Sequence, residues 1–122
     1  MDINELSPSE VFSYFQEICA IPHGSGNTGM IADYCLEFAK LHGLKARKDA
    51  ADNVVIFKAG SSGYEDCKPV ILQGHLDMVC EKEPDCDIDM SVQSIKACTD
   101  GKMVSAGGTT LGPDDGFAVG FI

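Results

Sequence analysis

Pro69-Val70-Ile71-Leu72-Gln73-Gly74-His75-Leu76-Asp77-Met78-Val79 is the stretch on which the reading of this chain turns. Its first half is apolar and β-branched, the composition of a strand buried on both faces. Its second half delivers an imidazole and a carboxylate two residues apart. On an extended chain residues i and i+2 point to the same side, so His75 and Asp77 face one pocket while Leu76 and Met78 face the packing layer. Ligands of α/β sheets bind beyond the carboxyl ends of strands. An imidazole there can ligate a metal, and a nearby carboxylate can fix its tautomer. The plainer alternative is a satisfied core histidine beside an aspartate that caps a turn.

Working outward, Val54-Val55-Ile56-Phe57 is a second continuous apolar run and reads as a buried strand, preceded by a short strand over 44–48 and a turn over 49–53. Upstream, Ser7-Pro8-Ser9-Glu10 has the pattern of a helix start with Ser7 as N-cap. Val11, Phe12, Phe15, Ile18 and Cys19 then recur at helical spacing, up to the stop at Ile21-Pro22. A second helix is expected from about residue 28 to 41, with Ile31, Tyr34, Cys35, Phe38 and Ala39 as its apolar stripe and Gly43 as its C-cap. Downstream, residues 91–97 and 102–105 read as a hairpin about Asp100-Gly101. A glycine-rich loop over 107–116 then leads into an apolar, helix-like segment over 117–122. The fold class expected is α/β: a mixed β-sheet flanked by helices, with no internal domain boundary.

The loop Gly107-Gly108-Thr109-Thr110-Leu111-Gly112-Pro113-Asp114-Asp115-Gly116 carries the second candidate chemistry. Glycines let backbone wrap closely round an ion, and a carboxylate has two oxygens that can bridge two cations. Paired metals about 3.5–4 Å apart polarise a carbonyl and activate a water together. A turn with an aspartate helix cap is the competing reading. A phosphate cradle is a worse reading, because there is no phosphate-loop motif and Asp114 and Asp115 would repel phosphate.

Composition narrows the partners. Nineteen acidic against nine basic residues give a net charge of −10, which argues against nucleic acid or an anionic membrane as partner. No run approaches the ~18 apolar residues of a membrane span. The start Met1-Asp2-Ile3-Asn4-Glu5 lacks the pattern of a signal peptide, so the expected location is the cytoplasm. The six cysteines form no CxxC pair. Cys19 and Cys35 fall on apolar helix faces as small core residues, and no chemistry is assigned to any of the six.

Taken together, GHLDMV followed by the TTLGPDDG stretch, whose Asp114 lies 39 residues after His75, resembles the co-catalytic zinc peptidases that include aminoacyl-histidine dipeptidase. The similarity extends to Ile21-Pro22-His23-Gly24-Ser25, Asn53-Val54-Val55 and Pro69-Val70-Ile71-Leu72-Gln73. It implies that the chain is the N-terminal part of a metallopeptidase catalytic domain over 1–122. It also implies zinc-dependent hydrolysis of dipeptides, preferably Xaa-His, by a water activated between two metals. Zinc would be the cofactor, two ions per complete site, with cobalt or manganese as substitutes. His75 would ligate one zinc, Asp77 would orient His75 as the catalytic second-layer residue, and Asp114 would bridge both metals. Where such enzymes commonly carry Ala-Asp-Asn, this chain has Pro113-Asp114-Asp115, which adds a second carboxylate. His23 is read as a loop histidine without a catalytic role.

The resemblance also implies a glutamate pair, a further aspartate ligand and a distant histidine ligand, none of which can be placed here. The chain is therefore expected to be a truncated fragment, inactive alone, lacking the lid domain through which the complete enzyme would dimerise. A related exopeptidase or N-acyl amino acid hydrolase of the same fold is the alternative activity. The alternative class is a non-enzymatic fragment that binds metals or a partner.

Overall fold

The computed structural model describes residues 2–122, which divide into two compact units: 2–31 with 73–122, and 32–72. The α/β class holds, with helices α1 (Ser9–Cys19), α2 (Gly29–Leu41) and α3 (Pro113–Phe121). The strands are β1 (Lys45–Lys48), β2 (Val54–Phe57), β3 (Cys98–Thr99) and β4 (Val104–Ser105). They pair as two separate antiparallel ribbons, β1 with β2 and β3 with β4.

The larger unit is organised around α1 and α3. The apolar face expected of α1 is the one that is buried: Phe15 is fully enclosed, and Ile18 and Cys19 nearly so. Burial pushes the Cys19 thiol up to about 12, because a thiolate would lose its hydration there. Phe117 of α3 meets Phe12 edge-on at 5.2 Å between ring centroids and tilts over Phe15 at 4.5 Å, both in the range where aromatic pairs attract. Close approach requires a glycine at 116, where a Cβ would lie 3.1 Å from the Phe15 ring. Ile3, Met78, Met90, Ile95 and Ala106 complete this core. The start of α1 differs from expectation by one residue. Pro8, not Ser7, occupies the N-cap, and its carbonyl accepts from Phe12 N–H without any side-chain cap.

In the smaller unit α2 ends as its sequence requires. Gly43 takes φ +66°, Gly43 N–H bonds to Lys40 O and Leu44 N–H bonds to Ala39 O, the paired closure of a left-handed C-terminal cap. The β1–β2 hairpin turns on Asp49, whose carboxylate accepts from Ala51 N–H, Asn53 N–H and the Asn53 amide. These bonds, that to the Asn53 side chain foremost, hold the Asp49 carboxyl below its ordinary value. Lys48 ties the hairpin to α2 through an ion pair with Asp33.

Three sequence expectations are corrected. The apolar run over 69–74 is not a strand: Val70, Ile71 and Leu72 are 82%, 87% and 66% exposed. A strand exists only through ladder partners, and none pairs with this run among the described residues. Strand β2 forms, yet Val55, Ile56 and Phe57 are exposed, because a two-stranded ribbon buries neither face by itself. The downstream hairpin is confined to β3 and β4. Its Asp100-Gly101 turn is as expected, with Gly101 at φ +90° and Asp100 Oδ1 accepting from Lys102 and Met103 N–H, whereas 91–97 forms no strand.

Candidate metal centre

The two motifs are brought together by backbone. The segment following His75 and the glycine-rich loop run antiparallel and zip to one another: Thr110 N–H bonds to Glu81 O at 2.9 Å and Glu83 N–H to Gly108 O at 2.8 Å. The Thr110 hydroxyl donates to Val79 O at 2.7 Å and accepts from Glu81 N–H at 3.1 Å. Threonine at 110 thus does locally what a longer ladder would do. Glu81 and Glu83 enter this seam through their backbone groups.

The loop then turns sharply into α3. Gly112 adopts φ +75°, a left-handed conformation natural to glycine, and a Cβ there would strike the buried side chain of Met78 at 2.8–3.2 Å. Asp114 and Asp115 are not helical, so both carboxylates project before the regular turns begin. The peptide between them is cis. Asp115 turns back onto the first motif, where its Oδ2 accepts from His75 N–H at 3.2 Å. The second carboxylate, noted as a departure from the family pattern, therefore holds backbone in place.

His75, Asp77 and Asp114 meet as the sequence suggested. His75 Nε2 lies 3.0 Å from Asp114 Oδ1. On the other side of the ring, Nδ1 lies 3.0 Å from Asp77 O and 3.2 Å from Asp77 Oδ1. His75 and Asp77 share a side even though 75–77 carries no strand ladder. The hydrogen bond to Asp114 is the main cause that holds the imidazole above its ordinary value; desolvation opposes it, and the Asp77 carbonyl and both carboxylate charges add to it. Asp77 is held below its ordinary value, first by a hydrogen bond from Ser25. Asp114 is almost fully exposed and His75 about half, so the pair opens to solvent.

Ser25 is the residue that sequence reasoning missed. Its Oγ lies 2.5 Å from Asp77 Oδ2. The signal was present in Ile21-Pro22-His23-Gly24-Ser25, where a hydroxyl follows a glycine in a stretch already noted for similarity. His23, read from sequence as a loop histidine, is buried, with Nδ1 against Ile21 O.

The donor set can be tested against a metal ion. Zinc takes imidazole nitrogen and carboxylate oxygen at about 2.0–2.2 Å, so two such ligands at a tetrahedral angle lie about 3.3 Å apart. The observed 3.0 Å between Nε2 and Oδ1 is within a few tenths of that, and the opposite nitrogen is held by a carboxylate as in metal-bound histidines. The two residues fit part of a site. No group of three His, Cys, Asp or Glu side chains that could hold a metal ion occurs among the described residues.

An imidazole braced by a carboxylate and converging with a second carboxylate is donor chemistry of metal-dependent hydrolases. The chain is similar to dipeptidases in particular. It is 39% identical over 118 residues to the cytosol non-specific dipeptidase of Escherichia coli (strain K12), a match that covers 97% of this chain and 24% of that protein. Its fold matches the crystal structure of the aminoacylhistidine dipeptidase from Vibrio alginolyticus with a TM-score of 0.93 at 39% identity, over 98% of this chain and 24% of the other. The resemblance to aminoacyl-histidine dipeptidase read from the two motifs is borne out, and the chain spans about a quarter of the length of these relatives. No protein-family profile matches the chain.

Proposed function

We propose that the chain contributes part of the active site of a zinc-dependent dipeptidase acting preferably on Xaa-His dipeptides. The observation that carries this reading is the convergence of His75 Nε2 and Asp114 Oδ1 at 3.0 Å, with His75 Nδ1 braced by Asp77. His75 and Asp114 would hold zinc, and Asp114 has a second oxygen for a second ion. When bound, the metal pair supplies polarisation of the scissile carbonyl and lowers the pKa of a bound water.

The chain's own residues supply position and charge. Asp77 holds the imidazole with Nε2 facing Asp114, and Asp115 fixes the backbone of His75. The seam between Thr110 and residues 79–83 sets the distance between the two ligands. Two ligands without an assigned general base do not make a hydrolase, because amide cleavage needs a positioned nucleophile and base. We therefore infer that the 122-residue chain alone binds zinc weakly and does not turn over peptide.

The relatives' names support a dipeptide substrate and differ on breadth, one being called non-specific and the other aminoacylhistidine dipeptidase. The name of the first also favours the cytoplasm. No helix among the described residues is long and apolar enough to cross a membrane. We further infer homodimerisation for a complete enzyme.

Zinc titration of the chain against a chromophoric chelator tests the site. Loss of binding in His75→Ala and Asp114→Ala supports it, and unchanged binding in both sinks it. Release of histidine from β-alanyl-histidine by the chain alone would refute the inactive-fragment reading. In a longer protein containing these residues, faster cleavage of a tripeptide or an acyl amino acid than of Xaa-His dipeptides would favour the alternative exopeptidase or N-acyl amino acid hydrolase activity.

A further inference from the structure

The loop before α2 carries a hydroxyl onto the histidine's brace. We propose that Ser25 is a positioning residue for His75, acting through Asp77; the proposal rests on the reading of His75 as a metal ligand.

The geometry divides the Asp77 carboxylate between two donors. Ser25 Oγ lies 2.5 Å from Oδ2, while Oδ1 lies 3.2 Å from His75 Nδ1. The hydroxyl has one proton and two acceptors in reach, Asp77 Oδ2 and, at 3.5 Å, Met78 O. The shorter and ionised partner takes it, since hydrogen bonds to carboxylates are shorter and stronger than those to neutral acceptors. With Oδ2 pinned, the carboxylate cannot rotate Oδ1 away from the imidazole. The ring in turn keeps Nε2 directed at Asp114.

Ser25 can do this because its own position is fixed by backbone. Met78 N–H bonds to His23 O at 3.0 Å and Ser25 N–H bonds to Met78 O at 3.1 Å, forming a parallel bridge between Gly24 and Met78. Asn27 N–H closes the loop on Gly24 O at 2.8 Å. Met78 is 3% exposed in the core and His23 equally enclosed, so both sides of the bridge are anchored. A Cβ at Gly24 would lie 2.7 Å from Cys80 Sγ, so a larger residue there would have to turn the Cys80 side chain aside. The hydroxyl of an exposed serine thus stands on a frame that the core holds still.

The test uses the 122-residue chain as wild type, Ser25→Ala, Ser25→Thr and His75→Ala, with folding followed by circular dichroism. Two quantities are read: zinc affinity by chelator competition, and the tautomer of the neutral His75 ring from its 15N shifts without metal. Without metal the single proton of the neutral wild-type ring is shared between Nδ1, faced by two Asp77 oxygens, and Nε2, faced by Asp114 Oδ1 at 3.0 Å, and the variants are read against that wild-type ratio. Ser25→Ala should shift the ring toward Nε2–H and weaken zinc binding about tenfold, the lower end of what loss of a ligand's supporting partner costs. Ser25→Thr, which keeps the hydroxyl, should restore both.

A Ser25→Ala ring that shifts toward Nδ1–H overturns the proposal. So does a Ser25→Ala chain with wild-type tautomer and affinity while His75→Ala loses zinc, and in that case the metal site itself stands. Zinc binding that is absent, or indifferent to His75→Ala, sinks the metal site and the positioning role with it.

Discussion

Residues 69–72 and 75–79 are neighbours in sequence, and they behave in opposite ways. Val70, Ile71 and Leu72 form the more apolar segment, yet they are exposed and pair with no strand among the described residues. The segment from His75 to Val79 carries charge and is bound at nearly every residue. Asp115 takes the His75 N–H, His23 takes the Met78 N–H, Ser25 donates to Met78 O, and Thr110 donates to Val79 O. Hydrophobicity states a tendency to be buried, but burial needs a second surface. The hydrogen-bonding groups of 75–79 meet their partners in loops that lie far along the chain, at residues 23–25 and 110–115.

The comparison breaks most severely if the core beneath the second segment is removed. Phe15→Ala should cost about 3–5 kcal/mol in chemical denaturation, since a large aromatic leaves a cavity under Phe117 and Gly116. The pairing of His75 with Asp114 should be lost along with cooperative unfolding. A cost under about 1 kcal/mol would mean that the two motifs are not held by this core.

A smaller effect is expected at Asp115. Removing its carboxylate in Asp115→Ala leaves His75 N–H without its acceptor, at a cost of about 0.5–1.5 kcal/mol. Asp115→Asn keeps an oxygen for that bond and should recover most of the loss. If Asn and Ala weaken the fold equally, the negative charge rather than the hydrogen bond is what matters there.

Smaller still is the effect expected of Ile71→Thr in the exposed run, within about 0.5 kcal/mol in denaturation. Sedimentation should show less self-association for this variant, because it interrupts an exposed apolar patch. A loss of stability well beyond that value would mean the run is buried in solution, and the contrast between the two segments would collapse.

The mildest prediction concerns pH and the β1–β2 turn. Asp49 is held below the ordinary carboxylate value in the fold, so the unfolded chain takes up this proton first as pH falls. Its contribution is fully present above the unfolded value and is lost as pH drops through the folded one. The melting temperature of wild type should therefore decline on acidification below about pH 4, and Asp49→Asn should flatten that decline. An equally steep acid limb in Asp49→Asn would remove the turn from the account.

Much of this was legible from local signals. The apolar face of α1, the glycine that ends α2 and the Asp100-Gly101 turn follow from spacing over a few residues, whereas His75 and Asp77 share a side without the strand on which that expectation rested. Expectations failed where a second element had to be supplied. The run 69–74 has strand composition without a strand, β2 is exposed where burial was expected, and 91–97 forms no hairpin arm. Ser25 was overlooked because its partner lies 52 residues away, and no local pattern encodes that distance.

What the sequence determined by itself was the chemistry on offer: imidazole and carboxylate side chains at 75, 77 and 114, and the apolar faces that belong to helices. Side-chain type and short-range periodicity are properties of the chain alone. Tertiary structure decided which of these groups meet. His75 reaches Asp114 with Thr110 sealing the loop to residues 79–83 and Asp115 holding the His75 backbone, and Asp77 meets a hydroxyl offered by a loop locked to Met78. Such pairings depend on closing long stretches of chain against their entropy, and that is settled by the packing of the whole unit rather than by any one segment.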